Sequence, residues 1–258
     1  MCPEEIDTKS VLGKVVTVLQ AFTVDDHGVS LAELGRRTGL AKATLHRTLG
    51  DLVAVRLVDR TPSGYRLSSQ MFELGMRASV ERGLLEVATP FLEDLYERTH
   101  EIVHLGVLEG TEVVYVGKIA GHRQASSPSR VGGRMPLHCT AIGKVLLAHG
   151  DADLFVRVVG AGLPRRTPRT IVAPGLLRRQ LSLVRSAGVA YEYEESATGI
   201  ACVAAPVLDR DDRVVAAISV TGPVHRFRPE AHASAVKAAS AGTSAILARR
   251  AQPSAPAG

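Results

Sequence analysis

The sequence predicts an α+β protein built in two parts. Three observations carry that reading. Before residue 68, three stretches with helical apolar spacing are followed by two short extended segments around a Pro-Ser-Gly turn. From residue 102 onward, runs rich in Val, Ile and Tyr alternate with helical ones. Between the two lies only helical pattern, and 258 residues are enough for two domains.

Residues 10–22 place Val11, Val15, Val18 and Phe22, with Leu12, Val16 and Leu19, at the spacing of an amphipathic helix. Asp25-Asp26-His27-Gly28 breaks it, and Ser30 can cap a short helix from Leu31 to Thr38 that ends at Gly39. A third helix runs from Ala41 to Ala54, with Leu45, Leu49, Leu52 and Val53 on its buried side. The extended segments Arg56–Arg60 and Tyr65–Leu67 flank the turn Thr61-Pro62-Ser63-Gly64. Three helices and a small hairpin are the parts of a winged helix-turn-helix.

Residues 69–82 read as a connecting helix, and Leu84–Thr99 as a second one. Strands are expected at Ile102–Leu108, Thr111–Ile119, Val189–Glu194, Ile200–Leu208 and Val214–Thr221, and a loop at 122–136. Helices are expected at Thr140–Ala148, Ala152–Val159, Gly175–Ala187 and Pro229–Ala248. Antiparallel hairpins with helices packed at one side make an α+β domain of the sensing kind.

Bulk properties set the remaining bounds. Apolar residues are 45% of the chain, and no run approaches the ~18 residues that span a bilayer. Residues 1–8 carry acids and no apolar stretch, so they do not read as a secretory signal, and the cytoplasm is the expected compartment. Three cysteines, Cys2, Cys139 and Cys202, are not a disulfide framework. A net charge of +5 permits an anionic partner without naming one. Its distribution says more: from Leu34 to Gly50 stand Arg36, Arg37, Lys42 and Arg47 and no acid.

On a helical wheel Ala43, Arg47 and Asp51 lie opposite the apolar side of the third helix, flanked by Thr44, His46 and Gly50. Such groups read base edges by hydrogen bonds in the major groove, and Arg47 can grip a guanine through two donors. Lys42, at the helix start, is placed for a phosphate. Arg60, Ser63 and Arg66 around the wing turn can reach an adjacent backbone or the minor groove.

The run LAELGRRTGLAKATLHRTLGDLVAVRLVDRTPSGYRLS resembles the DNA-binding domain of IclR-type bacterial regulators. Lys42, Thr44, His46 and Arg47 match its recognition helix, and Gly64-Tyr65-Arg66-Leu67 its wing end. Ala41 departs from the proline that often opens that helix. GGRMPLHCTAIGKVLLA (132–148), YEYEESATGIACVAAPV (191–207) and AAISVTGP (216–223) are similar to three further motifs of the family. The resemblance implies a winged helix-turn-helix at 1–68, a linker helix at 69–83 and a GAF-like effector-binding domain at 84–250. Residues 251–258 would form a disordered tail.

The resemblance also implies an effector pocket of Ala141, Ile142, Glu192, Cys202, Ser219 and Thr221. The residues agree in part. Ser219 and Thr221 are two apart on a strand, so their hydroxyls share a side. The amides of Ala141, Ile142 and Gly143 open a helix and would suit a carboxylate. Glu192 would repel an anion unless protonated or bound to a hydroxyl, and the family usually has a shorter Asp near that position.

The expected partners are double-stranded operator DNA, a small organic effector of carboxylate or aromatic type, and one or three further copies of the chain, with no membrane. Repression is favoured over activation. Cys139 beside His138 invites an enzyme reading, but GxSxG, Walker and HExxH patterns are absent, so no enzyme is expected. Cys139 and Cys202 with His138, His149 or His225 lack paired metal-ligand spacing, and neither metal nor cofactor is expected. Two alternatives stay open: a thiol-based redox regulator using Cys139 and Cys202, and a protein-binding adaptor that uses the winged helix without DNA.

Overall fold

The computed structural model describes residues 7–77, 80–121, 124–125 and 127–250. Cys2 and the expected tail at 251–258 lie outside them. The chain divides into two compact units, Met1–Ser79 and Val80–Gly258.

The first unit orders α1 (Val11–Gln20), α2 (Leu31–Thr38), α3 (Lys42–Ala54), β1 (Val58–Thr61), β2 (Gly64–Leu67) and α4 (Ser69–Gly75). Ser10 and Ser30 cap α1 and α2, their hydroxyls accepting the amides of Gly13 and Glu33. The core gathers Val18, Val29, Leu34, Leu45, Leu49, Leu52, Val58 and Tyr65. Burying a leucine contributes about 1.5–3 kcal/mol, so Leu34, Leu45 and Leu49, wholly enclosed, fix the angle between α2 and α3.

The apolar helix expected at 10–22 leaves its first two apolar residues outside the core, which it joins from Val15 onward. Val11 and Leu12 are 75% and 76% exposed, while Val18 is buried. The wing begins later than the expected Arg56, because that residue takes a left-handed φ of 61° as α3 closes. Thr61 pairs with Gly64, leaving Pro62-Ser63 as a two-residue turn, and Val29 bridges to Tyr65. The connecting helix is shorter than 69–82: α4 stops at Gly75, and the next helix has begun by Val80.

The second unit orders α5 (Val80–Thr99), β3 (Ile102–Glu109), β4 (Glu112–Ile119), β5 (Arg134–Pro136), α6 (Ala141–His149), α7 (Ala152–Gly160) and α8 (Pro174–Ala187). It closes with β6 (Ala190–Tyr193), β7 (Ile200–Leu208), β8 (Val214–Pro223) and α9 (Pro229–Arg250). Six strands form one antiparallel sheet in the order β5-β4-β3-β8-β7-β6. β5 is a short edge strand inside the stretch expected to be all loop.

Helices cover both faces of this sheet, not one as expected. Val113, Cys202, Ala204 and Ala217 pack with α6, α7 and α8. Val203, Ala205, Ile218 and Val220 pack with α5 and α9. The sequence carries the reason: β3, β7 and β8 are nearly continuous apolar runs, as strands buried on both faces are.

Candidate functional site

Two places concentrate the candidate functional side chains, one in each unit. In the first, Gly39 takes a left-handed φ of 67° that lets α2 end and α3 begin at once. Leu45, Thr48, Leu49 and Leu52 bury one side of α3. Lys42, Ala43, His46 and Arg47 are thereby exposed, and Thr44 is half-buried. Ala41 makes no side-chain cap, so the first-turn amides stay open beside Lys42, where the helix dipole favours an anion. Among the described residues no acid pairs with Lys42 or Arg47.

Arg36 and Arg37 do not join that surface as free cations. Arg36 Nη2 and Arg37 Nε both meet Glu33 Oε1 at 2.7 Å, and Arg37 Nη1 reaches Asp26 Oδ2 at 2.7 Å. These guanidinium hydrogen bonds hold both carboxyls well below the usual carboxylate range. Half of the acid-free run is therefore neutralised by acids that precede it in the chain. On the wing, Arg60 lies 5.9 Å from the Tyr65 ring centroid, and Ser63 is exposed with its hydroxyl 3.2 Å from that of Thr61. Arg66 is exposed but paired with Asp59 at 3.2 Å.

The second place is a cavity at the start of α6. Strand register sets Glu192, Cys202 and Thr221 side by side across β6, β7 and β8, and His104 beside Ser219 in a neighbouring row. Side chains in such rows share a face. They line one cavity with Ala141 and Ile142. Its volume is about 10 Å³, room for about one water, so an organic molecule enters only if the walls part.

Gly143, expected to offer its amide, does not line this cavity. Its N–H donates to Thr140 Oγ1 at 3.0 Å. A Cβ there would stand 2.3 Å from the Leu137 carbonyl, so the glycine serves a close backbone approach. The usable amides at the helix start are those of Ala141 and Ile142.

Hydrogen bonds organise the walls. His104 Nε2 lies 2.6 Å from Ser129 Oγ, and Nδ1 lies 3.4 Å from Ser219 Oγ. Thr221 Oγ1 donates to Cys202 Sγ at 3.1 Å. Glu192 Oε1 accepts the Ser196 amide at 2.9 Å and its hydroxyl at 2.5 Å. Burial lowers His104 to about 3, so the imidazole is neutral. Burial raises Glu192 to about 7, against the two Ser196 bonds that lower it.

Cys139 and Cys202 are packed thiols. Both are buried, and burial first, then Glu192, pushes each thiol up to about 12. Among the described residues no group of three His, Cys, Asp or Glu side chains is placed to hold a metal ion.

Comparison with known proteins bears on both places. Residues 11–62 match the IclR helix-turn-helix domain, and residues 76–247 match the C-terminal domain of bacterial transcriptional regulators of the IclR type. The chain belongs to the IclR family. Its fold, a helix-turn-helix followed by an α+β domain, is the family's. The IclR relatives it matches are named as transcriptional regulators. The Escherichia coli regulator XynR is 35% identical over 81% of this chain and 84% of its own. The repressor AllR of Klebsiella pneumoniae is 31% identical over 85% of this chain and 82% of its own. A crystal structure of an IclR homologue from Microbacterium hydrocarbonoxydans complexed with 4-hydroxybenzoate superposes with a TM-score of 0.87. It is 32% identical and covers 94% of this chain and 100% of its own. No helix among the described residues is long and apolar enough to cross a membrane.

Sequence reasoning missed several residues that line the cavity. His104 and Tyr115 stood in strands read only for their apolar pattern, and Ser129 in a stretch read only as loop. Ser196 lies in the acidic motif but was not assigned. A histidine within an otherwise apolar strand was the signal available: buried, it needs a polar partner.

Proposed function

We propose that this IclR-family regulator binds operator DNA through α3 and the wing, and that a small organic effector bound at the α6 cavity changes its operator affinity. The observation that carries the effector half is the strand register. It sets the polar side chains of Glu192, Cys202, Ser219, Thr221 and His104 on one face against a helix start. Arg47 reads a base edge, with Ala43, Thr44 and His46 beside it; Lys42, Arg60, Ser63 and Arg66 hold phosphates.

The effector presents a carboxylate to the amides of Ala141 and Ile142 and a hydroxyl to the strand side. The complex of a homologue with 4-hydroxybenzoate supports a ligand of that size and chemistry. Binding parts the cavity walls and selects one packing of the second unit. The segment 69–83, proposed as the linker between domains 1–68 and 84–250, passes that choice to the reading helices. Coupling of this kind is typically worth about 1–3 kcal/mol. We take the working form to be a homodimer or homotetramer in the cytoplasm, acting by repression. A relative named as a repressor supports that direction.

The thiol-based alternative is the weaker reading, because neither described thiol is exposed or acidified. The test is an operator-binding titration, with and without a panel of small hydroxy acids that includes 4-hydroxybenzoate. A shift of operator affinity by one member supports the reading. Response to oxidant alone contradicts it.

A further inference from the structure

A buried ammonium stands next to the cavity and does not serve it. Lys144, one turn beyond Ala141 on α6, is 1% exposed. Its Nζ donates to Glu195 Oε1 and, at 3.2 Å, to the Tyr191 carbonyl. Glu195 is three residues past Glu192 and immediately before Ser196, which lines the cavity. The turn is pinned from outside: Thr167 Oγ1 donates to the Glu194 carbonyl at 2.6 Å and Thr170 Oγ1 to that of Glu195 at 2.7 Å. Glu195 therefore holds a fixed place between the ammonium and the cavity wall.

As a device for stability this pair is poor. Glu195 Oε2 is buried with no hydrogen-bond partner among the described residues. Neutral groups of the same size would fill the space without that cost. What the pair does is commit the positive charge of Lys144. The titratable groups around Glu192 are His104 from β3, Tyr115 and Lys118 from β4, Cys139 before α6, Lys144 on α6, Arg166 before α8, Glu195 in the turn and Cys202 from β7. Burial keeps His104 neutral, Lys118 Nζ donates to the Ser129 carbonyl at 2.7 Å and Arg166 Nε to the Ser196 carbonyl at 3.2 Å, which leaves Lys144 as the cation that lowers Glu192 directly. With Lys144 taken, the cavity wall carries a carboxyl, hydroxyls and a neutral imidazole.

We propose that Glu195 sets the charge selectivity of the cavity without touching the ligand, by holding the Lys144 ammonium away from Glu192. The site then takes ligands that bring a hydrogen-bond donor to Glu192 and rejects those that bring a carboxylate there. This rests on the cavity being the effector site, and it makes Glu195 and Lys144 positioning residues.

The test compares 4-hydroxybenzoate with terephthalate, in which a carboxylate replaces the hydroxyl, by calorimetry on the full chain. Wild type should prefer 4-hydroxybenzoate by about tenfold or more, and Glu195→Gln should lose that preference. The double variant Glu195→Gln with Lys144→Met, which has no ammonium to release, should regain it. A ligand-free arm follows the Glu192 carboxyl by carbon-13 NMR titration. Glu195→Gln should lower its midpoint by about one pH unit, and the double variant should return it to the wild-type value. Glu195→Asp keeps the charge with a shorter reach and should shift the midpoint the same way by less, which covers a single variant that does not fold. Failure of both probes to bind wild type counts against the effector reading, while the titration still decides the role of Glu195. An unmoved midpoint in Glu195→Gln, or a double variant that stays shifted, overturns the proposal.

Discussion

Glu192 accepts two hydrogen bonds from one residue, the amide of Ser196 at 2.9 Å and its hydroxyl at 2.5 Å. Both stabilise the ionised carboxylate, yet burial outweighs them and raises the group to about 7. Glu192 is thus poised between charged and neutral near physiological pH, inside the cavity proposed to bind the effector.

That poise has a thermodynamic consequence. Between pH 4.5, the ordinary value, and about 7 the folded chain keeps a proton that the unfolded chain releases. Stability from this group is complete below that window and falls as pH rises through it, by on the order of 3 kcal/mol. Glu192→Gln has no such proton. Urea unfolding at pH 5 and pH 8 should show the variant gaining on wild type by that order between the two. An unchanged difference would mean that Glu192 is already ionised at pH 5.

At the DNA surface, Arg47→Ala should erase preference for one base position, a discrimination worth about 1–3 kcal/mol. Lys42→Ala should weaken operator and random DNA alike and reduce the salt slope by about one. Electrophoretic shifts over a salt series separate the two. Equal, sequence-independent losses in both variants would reassign the reading face.

Much of this was legible in the sequence, and the misses have physical causes. Helix and strand order follows from apolar spacing, and the motif at 191–207 led to Glu192 and Cys202. The charge on α2 did not read correctly, because Arg37 meets Asp26 through space and not along the chain. Gly143 was read as a ligand amide because the cap made by Thr140 cannot be seen from spacing alone. His104 and Ser129 meet across 25 residues, a closure no local pattern announces.

The thiols give a further check. With both pushed up to about 12, Cys139 and Cys202 should react with iodoacetamide at neutral pH far more slowly than a free thiol. Mass spectrometry of the native protein reads this directly, and Cys139→Ser, whose side chain does not line the cavity, should keep the effector response. Rapid labelling of either residue, with a response lost in Cys139→Ser, would favour the redox reading.

Val11, Leu12 and Val16 of α1 leave apolar side chains exposed in the first unit, as do Phe72 and Leu74 of α4. One winged helix covers a half-site, so we expect at least a dimer on a palindromic or pseudo-palindromic operator. Light scattering at micromolar concentration should show two or four chains, and Leu12→Asp should weaken assembly. A monomer with a single-module footprint would contradict this.

The central claim is that the effector acts through the strand face of the α6 cavity. Ser219→Ala with Thr221→Val removes two hydroxyls there while keeping the volume nearly constant. Operator affinity should then be measured for wild type and variant, alone and with the effector found in the panel. The account predicts ligand-free binding within about threefold of wild type, about 0.7 kcal/mol, and no response to the effector. A variant that keeps the full response would place the effector outside this cavity and contradict the account.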